Sequence, residues 1–312
     1  MSLWFEQFIK FTTDSVGLER TFRLFQAAVQ IFSSFAVPFD LLLYVLSLSA
    51  AEAPSPLATR TILKALNQRL GLARRFFRVF RFLESFNAAQ KLYAKLSSAS
   101  GQKAGARQPA WVRLEPWLDI SARTFNGMYL LLEASTVVDA LQVPGLSVWT
   151  AEQGHSITIE AQRFWLFSLV CGLLYNLLEM VNVLAHTPVP ATGEGFGAVG
   201  EQPEDKLETA EKSSRSLDEK AGDELKKEQE RLRGIVKIRK EQRRLWRREV
   251  QGKIYKLGRG AAANAIDIIL PGSVVGWINV DPGTVGLAMF VTTILTGKDV
   301  WERCGQEVSA SK

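Results

Sequence analysis

From Ala53 to Leu83 the chain carries no acidic residue, although cations recur throughout that stretch. At 100° per residue Arg60, Lys64, Asn67, Arg74, Arg78, Arg81 and Ser85 fall within about 100° of one another, with Arg75 at the border. Ile62, Leu66, Leu70, Leu72, Phe76, Phe77, Val79, Phe80, Leu83 and Phe86 fall opposite. The pattern predicts one long helix from about Leu57 to Leu96 with a cationic face and a bulky apolar face. A solvated helix face mixes both signs of charge, and this one does not. A single-sign cationic face against Phe and Leu describes a helix lying in a membrane surface. Each arginine near an anionic leaflet is worth on the order of 1 kcal/mol. The competing reading is a bundle helix whose charged face meets water.

The rest of the chain has the same helical period. Leu18, Phe22, Phe25, Val29, Phe32 and Phe35 recur at spacings of three and four, behind a capping Asp14–Ser15. Pro38 interrupts the run, which then continues to Leu48. A third helix is expected over roughly Leu114–Leu141, stopped by Pro144–Gly145, and a fourth over about Ile159–Leu184. No stretch alternates with period two for long enough to argue a strand. The expected fold class is therefore all-α, membrane-associated, with a basic amphipathic helix and one or two membrane-embedded segments.

Phe164–Ala185 is long enough to cross a bilayer. Asn176, Glu179 and Asn182 form a polar stripe on it, and a carboxyl at membrane depth is costly unless packed against protein. This stripe is expected to pack on a partner helix. Gly272–Thr296 is apolar but broken at Asp281–Pro282. It reads as a shallow hairpin or a re-entrant pair as readily as one crossing.

Between these segments the composition shifts. Residues 201–230 hold eleven acidic and six basic side chains, whereas 231–260 hold two acidic and twelve basic. The expected organisation is an N-terminal helical region (1–186), a disordered Pro/Gly/acidic linker (187–224), a basic helix with a C-terminal membrane segment (225–305) and a tail (306–312). The whole chain has a net charge of +6, which suits an anionic partner. Nothing resembles a zinc finger, a helix-turn-helix or an aromatic RNA-binding motif, so the expected partner is anionic lipid and not nucleic acid. Two cysteines and two histidines are too few for a metal centre of that chemistry. The string Gly195–Gly200 spells the dinucleotide-binding glycine pattern, which needs a strand before it and a helix after it, but it sits between Pro190 and Pro203 in a polar stretch and is read as chance. No nucleophile with a base, P-loop or carboxylate pair is present. No enzyme and no cofactor are expected.

Gly71–Leu72–Ala73–Arg74–Arg75–Phe76–Phe77–Arg78–Val79–Phe80–Arg81–Phe82 resembles the basic amphipathic helix of the peroxisomal biogenesis factor 11 family. Gly17–Gln26 is similar to that family's opening helix, and Met128–Glu133 to its central apolar helix. Gly283–Ala288, followed by Trp301, resembles its C-terminal membrane segment. The order of the pieces agrees over most of the chain, as in a divergent fungal member, although the 187–223 insert is not part of the likeness. The resemblance implies a peroxisomal membrane protein that elongates the organelle ahead of fission. It implies self-assembly, and partnership with a dynamin-type GTPase and its membrane adaptor. On that reading Lys64, Arg74, Arg75, Arg78 and Arg81 contact lipid phosphates, and Leu66, Leu70, Phe76, Phe77 and Phe80 form the inserted wedge. Two alternatives stay open: a pore for small metabolites lined by the Asn176/Glu179/Asn182 stripe, and a soluble helical scaffold that docks on anionic membranes.

Overall fold

A computed structural model of the chain describes residues 3–49, 55–100, 110–186 and 214–311. Every regular element among these residues is a helix, and none is a strand. Asp14 caps α2 (Ser15–Ser34) as its position suggested, its carboxylate accepting from the Val16 and Gly17 N–H groups. A short α1 (Leu3–Thr13) precedes it. The break before α3 (Ala36–Ser49) falls at Phe35, whose backbone is extended, and not at Pro38. Pro38 sits in the first turn of α3, where its missing N–H would have had no helical partner. The chain bends by 99° between α2 and α3.

The single helix expected over Leu57–Leu96 is two: α4 (Pro56–Arg78) and α5 (Arg81–Ser100). At the join the Val79 N–H reaches the Phe76 carbonyl and the Leu83 N–H the Phe80 carbonyl, a tightened i→i+3 pattern. This lets α4 lie on α2 while α5 lies on α6 (Ala110–Ser135). The loop expected over 97–109 is helical to Ser100, and 101–109 lie outside the described residues. The third expected helix also divides, into α6 and the one-turn α7 (Val137–Ala140). Gly145, at φ +80°, takes the left-handed turn beyond. α8 runs Ala151–His186, starting earlier than expected.

α9 (Ser214–Asp267) begins inside the stretch expected to be linker, while residues 187–213, with the Gly195–Gly200 string, lie outside the described residues. α10 (Ile269–Val275) ends on Gly276 at φ 83°. α11 (Pro282–Ala310) is capped by Asp281, and it continues through the expected tail.

Two compact units result, residues 1–180 with 257–312, and residues 181–256. Within the first unit α11 packs on α1 and α2. Gly283 and Gly286 make that approach possible, since a Cβ on Gly283 would meet the Phe35 ring at 2.7 Å and one on Gly286 the Gln30 side chain at 3.2 Å. Ala27, Leu270, Ala288 and Met289 form one small apolar core; Tyr129, Leu130 and Ala161 form another.

What is buried alongside them is unusual. Glu19 is 2% exposed, Arg23 4% and Arg74 9%, while Ile62 is 65% exposed and Phe80 75%. Water-soluble domains bury apolar side chains and solvate charges. Here ionic groups are inside and a wide apolar surface is outside, the arrangement expected of helices in contact with lipid. α8 is the one described helix long and apolar enough to cross a membrane, and α2 with α3 would pass only as a bent pair.

Candidate functional site: a charged seam behind an apolar face

α4 places Arg74 and Arg78 one turn apart, on the side that meets the other helices. Glu19 and Gln26 on α2, seven residues apart, share the opposing face. Arg74 donates from Nε to Glu19 Oε1 at 3.0 Å and from Nη1 to Gln26 Oε1 at 2.7 Å. Its Nη2 is 2.9 Å from the same carboxylate, so the pair is held at two nitrogens. Arg20 approaches the other Glu19 oxygen at 3.6 Å. One turn along α4, Arg78 donates to Glu133 on α6 at 2.8 Å and to the Tyr129 hydroxyl at 3.2 Å. Tyr129 in turn donates to Glu133 at 3.1 Å.

A second arm joins the ends of the chain. Arg23 donates to Asp267 on α9 at 2.5 Å and to Thr292 on α11 at 3.0 Å. The Thr292 hydroxyl donates to Asp267 at 2.6 Å. Nearby, Arg259 pairs with Asp299.

These environments tune the ionisable groups. Burial, with the like charge of Arg78, lowers Arg74 to about 10 despite Glu19. Burial, aided by Glu133, raises the Tyr129 hydroxyl to about 12 against the pull of Arg78. Both groups keep their neutral-pH protonation, and the charges of the seam are paired across helices.

The five residues expected to meet lipid phosphates therefore divide. Arg74 and Arg78 are corrected: their guanidiniums are buried and engaged by carboxylates of neighbouring helices. Arg75 and Arg81 remain about one-third exposed, the first 3.8 Å from Glu133 and the second 4.0 Å from Glu84. Lys64 is exposed. The expected wedge residues mostly face outward: Leu66, Phe76 and Phe80 are exposed, Leu70 is half-buried, and Phe77 is half-buried against Phe22 at 5.3 Å. Ile62 and Leu83 extend the same exposed surface, and Leu57 is exposed on another side of α4.

On α8, Asn176 lies over Gly260 of α9, where a Cβ would stand 3.2 Å from its amide nitrogen. Asn264 of α9 lies over Gly172 of α8 in the same way at 2.9 Å. Glu179 and Asn182 are half-buried.

The sequence reading missed Glu19, Glu133, Asp267 and Thr292 as partners. Glu133 closes the apolar run Tyr129–Leu132, and Asp267 is the lone carboxylate between Ala261 and Leu270. An isolated acid in an apolar helix is the available signal for a buried cation elsewhere.

Compared with known proteins, residues 5–301 match the model of the peroxisomal biogenesis factor 11 family. No curated protein and no solved structure matches.

Proposed function

Because the chain belongs to the peroxisomal biogenesis factor 11 family, we propose that it acts in peroxisome biogenesis by remodelling and elongating the peroxisomal membrane ahead of fission. The observation that supports this most is the outward apolar face of α4 and the α4–α5 turn, backed by buried ion pairs. Leu66, Phe76, Phe80 and Leu83 enter the cytosolic leaflet. Complete burial of one such side chain is worth about 1.5–3 kcal/mol, so four partly covered ones supply on the order of 5 kcal/mol. Lys64, Arg75 and Arg81 meet anionic headgroups beside them. The buried seam holds α4 rigidly to α2 and α6, so insertion wedges the leaflet instead of peeling one helix from the bundle. Self-assembly through the remaining apolar surfaces spreads the bend, and the elongated membrane is then presented to a dynamin-type GTPase and its adaptor.

The test is tubulation of anionic liposomes by the full chain. Phe76→Glu with Phe80→Glu should abolish tubules and keep native helicity, because both side chains are exposed. Undiminished tubulation by that variant would refute the wedge.

A further inference from the structure

A cavity of about 390 Å³ opens among α5, α6, α8 and α9, within the first unit, and its Trp165 wall stacks on Tyr129 of the seam at 5.3 Å. Its walls bring together two guanidiniums from different helices, Arg81 of α5 and Arg123 of α6. Arg123 is held through Nε by Asp119 of its own helix at 2.9 Å, whereas Arg81 lies 4.0 Å from the exposed Glu84 and makes no hydrogen bond to it. Anchoring at Nε leaves the paired terminal nitrogens of the Arg123 fork for another acceptor, the geometry that suits phosphate.

The neutral lining fits the same ligand. Asn126 donates an amide proton to the Ser85 hydroxyl at 2.9 Å, which leaves the hydroxyl's own proton to donate. Asn264 adds a second amide over the space that Gly172 leaves open. Trp165 and Leu169 supply an apolar wall. Glu84 is the one carboxylate lining the cavity, and its side chain is 78% exposed. The cavity lining thus carries two guanidiniums and one carboxylate that is turned to solvent, while Asp119 stands behind Arg123.

We propose that this cavity is a binding site for a phosphate monoester, with Arg81 and Arg123 clasping the phosphate, Ser85 and Asn126 orienting it, and Trp165 covering its organic part. The phosphate comes either from the headgroup of an anionic lipid or from a free phosphate ester. The proposal shares Arg81 with the headgroup contacts proposed above, but it does not rest on the apolar wedge, which is tested separately through Phe76 and Phe80.

The experiment follows thermal unfolding of the full chain in neutral phosphatidylcholine nanodiscs at constant ionic strength. Dioctanoyl phosphatidic acid, glycerol 3-phosphate and inorganic phosphate are titrated separately. A saturable rise in the midpoint is expected with at least one of them. A rise with phosphatidic acid alone assigns the site to lipid; a rise with glycerol 3-phosphate as well assigns it to the free ester. Arg81→Gln with Arg123→Gln should raise the half-saturating concentration about tenfold or more, the loss of two charge-assisted contacts. Ala88→Leu keeps both cations and narrows the cavity, and it should weaken binding too. No saturable shift with any probe overturns the proposal. So does wild-type half-saturation in either variant.

Discussion

Replacing Glu19 by Gln isolates the seam's contribution. The substitution keeps the shape of the side chain and removes the charge that Arg74 meets at 2.9–3.0 Å. Glu19 is 2% exposed and Arg74 9%, so water cannot replace the lost partner. Removing one member of a buried pair costs about 3–5 kcal/mol, because the other charge stays desolvated. The surface pair Lys10–Glu307, at 3.2 Å with both side chains half exposed, should cost about 0–1 kcal/mol when broken. Against a typical stability of about 5–15 kcal/mol, the first loss is large and the second barely visible. Denaturant unfolding in micelles, followed by helicity and tryptophan emission, measures both. The exchange Glu19→Arg with Arg74→Glu restores opposite charges and should recover part of the loss, read as a coupling energy in a double-mutant cycle. If Glu19→Gln and Arg74→Gln each unfold within about 1 kcal/mol of the parent, against the cost expected for a buried pair, the seam holds nothing together. Arg74 would then be available to lipid after all.

Other substitutions probe separate joints. Gly283→Leu drives a side chain into the Phe35 ring, and it should cost about 1–3 kcal/mol as overpacking, seen as a lower thermal midpoint. Asp267→Asn leaves Arg23 without its carboxylate; it should open α11 to limited proteolysis while α4 to α6 stay protected. Asp14→Ala removes both the α2 cap and the 2.7 Å pair with Arg303, and it should lower stability by about 1 kcal/mol in the same assay.

Much of the local structure was legible in the sequence, and the exceptions have a common cause. Periodicity gave α2 and α8, and Asp14 announced a cap; Asp281–Pro282, read only as a break, also opens α11. The two faces of α4 were also visible. Which of them points inward was not, because a helical wheel has no inside until its neighbours are known. The answer lay 55 residues away in both directions, at Glu19 for Arg74 and at Glu133 for Arg78. The division at Val79–Phe80 carries neither Gly nor Pro. It is made by the competing demands of α2 on α4 and of α6 on α5, which no local preference records. The phosphate cavity was invisible for the same reason: Arg81 and Arg123 meet only when α5 is folded back along α6.

The clasp of Arg23 on Asp267 and Thr292 closes over 244 and 269 residues of chain. A ribosome therefore completes α2 long before its partners exist. Until residue 292 has been made, Arg23 has no dry place to go, and α2 cannot settle into its final berth. The Arg23 clasp can therefore close only after residue 292 has been made. A transcript cut short before residue 267 yields a product that is unfinished in kind as well as length, with cations meant for an interior left facing whatever surrounds them.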